Sequence, residues 1–354
     1  MQPQNKLKQD TGETPFPVIL IFHGAEVFDA GDAAWLIQIL NPEKSLVAGV
    51  MARTAAAESG LPVVYDGRRP SEILSEYSEI SGILVHRAKN TSSAHRFGSL
   101  ISSHKKSADL VLIEPGSSRI YIWGDPLPAL VAWVSALTGY PVVSGSGLSI
   151  DPPGTRSIGG CLPGEPVFIN GVIIGYATGQ EVVISFQNKE ILPISGIELK
   201  EHGIEKLMKT GFTDLTTTWC KSGTIRSRPP QRSVPVGNRG RVVVVDHDAA
   251  ACYGSFHPDI CGILTIGDDT SAICGHIGCS RGIPVLGITD GDIDGIIPEG
   301  YAKGSVILSA VHERDDDLGV EVAKMVSDGL VYWDEWVDMV IQYLGDRVMV
   351  IHRE

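Results

Sequence analysis

Residues 262–295 read GILTIGDDTSAICGHIGCSRGIPVLGITDGDIDG. Two apolar runs, Ile263 to Ile266 and Ile283 to Ile288, are each followed by an acidic turn. The first turn is Gly267-Asp268-Asp269 and the second is Asp290-Gly291-Asp292-Ile293-Asp294. Thr270 to Arg281 lies between them, rich in small residues and long enough for a short helix. Short apolar runs bounded by turn residues and separated by a helix-length segment read as buried strands of a βαβ unit. Ligands of open α/β sheets bind beyond the carboxyl ends of the strands, where both acidic turns fall.

The same pattern extends outward. Val242 to Val245 is a four-valine strand opening into Asp246-His247-Asp248. Ser305 to Val311 is a further strand, followed by Glu313-Arg314-Asp315-Asp316-Asp317 and a helix over Leu318 to Val326. Tyr332 to Val337 reads as an amphipathic helix and Val348 to Ile351 as a last strand. Residues 241–354 are therefore expected to form one α/β domain. If its sheet is parallel, the carboxylates converge on one edge. Crowded carboxylates repel one another unless a cation neutralises them, and Mg²⁺ suits oxygen donors.

Toward the N-terminus, apolar strands alternate with helices. Strands are expected at Val18 to Phe22, Ser45 to Val50, Leu61 to Tyr65, Gly82 to Val85, Ala108 to Ile113 and Tyr140 to Val143. That alternation predicts a doubly wound parallel sheet over residues 17–150, Rossmann-like in architecture. The first strand opens into HGAEVFDAGD rather than a G-x-G-x-x-G turn, so a dinucleotide site is not expected. His23 and His86 fall at strand ends, beside Glu26 and Arg87 in sequence, and read as polar turn residues or as acid/base groups. Residues 1–16 read as a disordered leader.

Between these domains, residues 151–220 hold closely spaced apolar runs without intervening helices. Asn170-Gly171 between two of them is a hairpin signal. A small antiparallel β module follows, with a helix over Glu201 to Met208. Residues 221–240 form a basic linker; Lys221 to Arg241 includes Arg226, Arg228, Arg232 and Arg239 and no acidic residue. It reads as a strap across an acidic neighbour or as a phosphate clamp.

The 354 residues carry a net charge of −13, so a nucleic-acid partner is not expected without a local basic patch. No apolar run approaches the about 20 residues that span a bilayer, and the first residues lack a signal-peptide core. A cytoplasmic protein is expected, with reduced thiols. Cys252, Cys261, Cys274 and Cys279 could hold zinc or an iron–sulfur cluster, but no C-x-x-C pair is present and buried thiols are the simpler reading.

The segment GIPVLGITDGDIDG resembles the Toprim motif of topoisomerases, primases and related nucleases, in which an apolar strand ends in a T-D-x-D-x-x-G turn that binds Mg²⁺. The resemblance implies a Toprim-like C-terminal domain in which Asp290 and Asp292 bind the metal, assisted by Asp294. Where Toprim proteins carry a glutamate after their first strand, this chain has Asp246 and Asp248, the candidate acid/base groups. Asp268, Asp269 and Thr270 are expected to position substrate, with Arg239 neutralising phosphate. Gly267-Asp-Asp-Thr-Ser followed by Gly282-Ile-Pro-Val-Leu-Gly is similar to the swivelling phosphohistidine domain, but Ala272 stands where that domain has its histidine. Through GDDTSAICGH, TDGDIDG and DDDLG, the chain as a whole resembles an uncharacterised protein family of methanogenic archaea.

Two functional readings stay open. One is Mg²⁺-dependent phosphoryl or nucleotidyl transfer or hydrolysis on a small phosphorylated ligand or nucleotide. The other is a non-catalytic ligand-binding, assembly or regulatory protein, homo-oligomeric or in a complex, whose acidic turns are structural caps.

Overall fold

The structure is a computed structural model that describes residues 16–77, 81–107, 109–145, 151–215, 218–291 and 294–354. Apart from Phe16, the expected leader lies outside them. The chain divides into two compact units, Met1–Ala52 with Leu61–Leu148 and Arg53–Gly60 with Ser149–Glu354.

The first unit contains β1 (Val18–His23), α1 (Glu26–Asp29), α2 (Asp32–Leu40), β2 (Lys44–Ala48), α3 (Val50–Ser59, which continues past the unit's boundary), β3 (Val64–Tyr65), α4 (Pro70–Glu76), β4 (Ser81–His86), α5 (Thr91–His104), β5 (Leu110–Glu114), β6 (Arg119–Trp123), α6 (Pro128–Thr138) and β7 (Val142–Ser144). Its sheet has the order β3-β2-β1-β4-β5-β6-β7. The strands β1 to β5 are parallel. Strand β1 is buried along its length up to His23, as a strand covered on both faces requires.

The expected all-parallel sheet is corrected at its far edge. Arg119–Trp123, not recognised as a strand in the sequence, pairs antiparallel with β5, and β7 runs parallel to β6. The reversal is made by Pro115-Gly116-Ser117-Ser118. The Glu114 carboxylate accepts from the N–H groups of Gly116 (2.9 Å) and Ser117 (2.7 Å), which holds the turn closed.

The second unit begins with a β module: β8 (Thr155–Gly159), β9 (Pro166–Ile169), β10 (Val172–Ala177), β11 (Glu181–Gln187), β12 (Glu190–Ser195), β13 (Ile197–Leu199), α7 (Glu201–Lys209) and β14 (Cys220–Ser222). Two antiparallel sheets form, ordered β13-β10-β9-β14 and β12-β11-β8. Asn170 and Gly171 have φ of 49° and 86°, as a two-residue hairpin turn demands, and Asn188 and Lys189 repeat the geometry at 53° and 66°. Ile169, Ile174, Val182, Ile184 and Leu207 fill the module's core. Gly203 lets α7 lie against β10, because a side chain there would overlap the Ile173 carbonyl.

The rest of the unit holds β15 (Arg239–Asp246), β16 (Ile260–Ile266), α8 (Asp268–Arg281), β17 (Val285–Thr289), β18 (Val306–Ala310), α9 (Asp315–Ala323), β19 (Val331–Tyr332), α10 (Trp333–Leu344) and β20 (Val348–Arg353). The sheet order is β19-β15-β16-β17-β18-β20, with β15 to β18 parallel and the two outer strands antiparallel. Leu264, Leu286, Ile288 and Leu308 pack against Leu318, Val322, Trp333, Trp336 and Val340. The alternate residues face α8: the Thr265 hydroxyl lies 2.8 Å from that of Ser271. Being small-sided, α8 is buried nearly all round.

The basic stretch after β14 is extended. Ile225 N–H donates to Ile296 O, Ser233 N–H to Cys279 O and Val236 N–H to Gly282 O. Its cations meet acidic partners within the unit: Arg226 with Glu58 at 2.6 Å, Arg241 with Asp259 at 2.9 Å, and Arg232 with Glu354.

Candidate metal centre

Parallel pairing of β15 to β18 sets their carboxyl ends along one edge, and three aspartates meet there. Asp268 opens α8 after β16, Asp290 follows β17, and Asp315 opens α9 after β18. One carboxylate oxygen from each lies within 4.8 Å of the other two. Asp268 and Asp315 are buried and Asp290 is exposed, so the group opens outward on one side. Asp268 is held by the N–H groups of Asp290 and Gly291, both at 3.2 Å. Gly267, with φ of 100°, makes the bend that brings Asp268 off its strand and into α8.

The charges are poorly compensated. One Asp315 oxygen accepts from the Asp316 N–H at 2.9 Å, while Oδ2 is buried without a hydrogen-bond partner. Burial, then the charges of Asp290 and Asp316, raise the Asp315 carboxyl above its ordinary range. Burial is also the main cause at Asp268, pushed up to about 6, with the neighbouring Asp290 and Asp315 adding to it. Asp269 Oδ1 is likewise buried and unpartnered. Burial and the charge of Asp294 push that carboxyl up to about 7, against the opposing fields of Lys200 and Lys206.

The donors fit a small hard cation. Oxygens about 2.1 Å from one Mg²⁺ lie about 3.0 Å apart when adjacent and about 4.2 Å apart when opposite, so the three aspartates would draw together on binding it. Among the described residues this is the one group of three or more such donors at ligand distance. Cys252, Cys261, Cys274 and Cys279 are all buried free thiols, and the structure does not gather three of them.

The remaining expected residues fall in different places. Asp292 lies outside the described residues. Asp294 is not among the three gathered aspartates; it pairs with Lys200, 2.9 Å away, and accepts from the Tyr176 hydroxyl. Asp246 sits 2.5 Å from His247 Nδ1, and His247 Nε2 lies 3.2 Å from Asp316, so these side chains form a chain that reaches the residue beside Asp315. Asp248 caps the short helix after β15 by accepting from Ala251 N–H. Thr270 is buried in the first turn of α8. Arg239 stands at the amino end of β15, with its guanidinium over the Tyr332 ring, about 23 Å along the strand from Asp246. Lys200 and Lys206, from the β module, act on the aspartates of this edge, and Arg314, at the start of α9, pairs with Asp316 at 2.6 Å.

In the first unit, His23 and His86 end the neighbouring strands β1 and β4. Their Nδ1 atoms are 3.4 Å apart and both rings lie against Phe97.

No helix among the described residues is long and apolar enough to cross a membrane. No solved structure matches the chain. The chain is 29% identical over 353 residues to the uncharacterized protein MJ0065 of Methanocaldococcus jannaschii, covering 93% of this chain and 96% of that one. A family model described as an uncharacterized protein conserved in archaea (DUF2117) matches residues 20–329. The match takes in most of the first unit, the β module and all three aspartates of the acidic edge, and the chain belongs to that archaeal family.

Proposed function

We propose that the acidic edge binds a divalent cation, Mg²⁺ by its donor chemistry, and uses it to act on a phosphoryl group by transfer or hydrolysis. The observation that carries this reading is the buried Asp315 carboxylate, whose Oδ2 has no hydrogen-bond partner and one of whose oxygens lies within 4.8 Å of two further carboxylates. A buried charge without a partner is costly, and a shared cation removes that cost. The Toprim-like turn after β17 supports the same assignment, with Asp290 as the shared residue.

The chemistry follows from the surroundings. A carboxylate-held Mg²⁺ orients a phosphoryl group and stabilises its developing charge. Lys200 and Lys206 supply positive charge on the side of the β module, where a bound anion needs it. Asp269, whose carboxyl burial and the charge of Asp294 push up to about 7, lies beside the same edge. Asp246 and His247 form a candidate acid/base pair at the end of β15.

Calorimetric titration of Mg²⁺ and Mn²⁺ into the purified protein, beside Asp290→Asn/Asp315→Asn, tests the reading. Saturable binding that disappears in the folded variant is expected. Equal binding by both proteins, or by neither, would remove the cation from the proposal and with it the phosphoryl chemistry.

A further inference from the structure

We propose that His23, His86 and Glu26 form a zinc site in the first unit, at the carboxyl edge of its sheet and different in chemistry from the three aspartates. The chain lays β2 and β3 on one side of β1 and then returns to place β4 on the other, in the order β3-β2-β1-β4-β5. Its direction reverses between β1 and β4, and the connections after those two strands part there. Ligands of open α/β sheets bind at such a switch point, beyond the carboxyl ends of the strands. His23 is the last residue of β1 and His86 the last of β4; they are partners in the register, and both are half-buried.

The spacing of the rings selects the ion. Their Nδ1 atoms are 3.4 Å apart. Two nitrogens held by one tetrahedral Zn²⁺, each about 2.0 to 2.1 Å from it, stand about 3.3 to 3.4 Å apart. The same separation is long for a hydrogen bond between the rings, and the closer contact of His86 Nδ1 is with His23 O, at 3.0 Å. Phe97 lies against both rings, with centroids 4.8 and 4.3 Å away, and restricts their rotation. Binding exchanges the contact with His23 O for a bond to the ion, as the neutral His86 moves its proton from Nδ1 to Nε2.

Glu26 supplies the third ligand. Gly24, with φ of 88°, turns the chain sharply after β1 and brings Glu26 back beside His86. A Cβ on Gly24 would stand 2.9 Å from Glu26 Oε2 and 3.3 Å from His86 Nδ1, so both atoms border the space that the glycine leaves. The three donors do not all stand at ligand distance, and rotation of the half-buried Glu26 side chain closes the set. Two imidazoles and one carboxylate suit Zn²⁺ rather than Mg²⁺, which takes oxygen donors. Three protein ligands leave a fourth position on Zn²⁺ for water or a small ligand.

Titration of the full chain with Co²⁺, whose visible absorption reports tetrahedral ligation, tests the proposal, with excess Mg²⁺ present to take oxygen-only sites. Binding of one Co²⁺ per chain is expected, with displacement by Zn²⁺. His23→Ala or His86→Ala should weaken binding by about a hundredfold or more, and Glu26→Gln by about tenfold or more. His104→Ala, exposed at the end of α5, should leave it unchanged. Two histidine variants are used so that one folded protein, checked by circular dichroism, suffices. A wild type that binds neither Co²⁺ nor Zn²⁺ overturns the proposal. So does binding that survives the histidine substitution in a folded variant, binding indifferent to Glu26→Gln, or a sulfur-to-cobalt charge-transfer band that puts the ion on cysteines.

Discussion

Replacing Asp268 by Asn should stabilise the metal-free protein at neutral pH and leave it nearly unchanged in acid. The Asp268 carboxyl, buried beside two other carboxylates, ionises at about 6 in the fold against 3.8 in a free chain. The unfolded chain thus releases this proton first. Below about pH 4 the group is neutral in both states and costs the fold nothing. As pH rises from about 4 through about 6, stability is lost, and the loss levels off at about 3 kcal/mol. Asn cannot ionise, and its side-chain oxygen can still accept one of the two N–H groups that hold Asp268. For a cooperative unit of about 200 residues, 3 kcal/mol corresponds to a Tm difference of about 6 to 12 °C. The assay is thermal unfolding of both proteins between about pH 4.5 and 8, in chelator and then in excess Mg²⁺. In chelator, the variant's advantage should appear as pH rises. In Mg²⁺ the ranking should reverse, because a cation bound only by the native wild type adds its binding free energy to stability. A pH-independent Tm difference in chelator would refute the buried-charge reasoning.

The ion pair between Lys200 and Asp294 offers a second test, since their side chains are only 18% and 4% exposed. Lys200→Met alone should cost about 3 kcal/mol by stranding the aspartate, while Lys200→Met/Asp294→Asn should recover much of it in a denaturant-unfolding cycle. Gly203→Ala should cost about 1 to 3 kcal/mol, read as a lower urea midpoint, because the new methyl meets the Ile173 carbonyl where α7 rests on β10.

The sequence was informative where chemistry and periodicity are local. The valine run of β15, the alternation of strands and helices in the first unit and the Asn170-Gly171 turn each combine a strong pattern with a physical cause, and each formed as read. Arg119–Trp123 escaped because its partner choice depends on the Pro115-Gly116 reversal and on Glu114 closing it, which no periodicity reports. The acidic edge was partly legible for the same reason. Asp268 and Asp290 follow apolar runs, so their place at a strand end was readable, whereas Asp315 was one of three consecutive aspartates with nothing to single it out. Its burial and its unpartnered oxygen come from packing on α9.

The place of Arg239 shows what a one-dimensional reading loses. Arg239 is close in sequence to Asp246 but at the far end of the same strand, because a strand separates its two ends by about 3.3 Å per residue. Lys200 lies 94 residues from Asp294 and yet touches it. Part of the positive charge at the acidic edge therefore comes from a separate fold element, beside the Arg314 that pairs with Asp316. That arrangement has a consequence for function. The β module brings Lys200 and Lys206 to the edge, while the strand ends of the sheet bring the three aspartates, with Arg314 held by Asp316 at 2.6 Å. A site that holds a cation on one side and an anionic group on the other thus draws on both parts of the unit. Loss of the two module lysines should weaken recognition of a phosphoryl group, while the three aspartates that would hold the cation all come from the sheet.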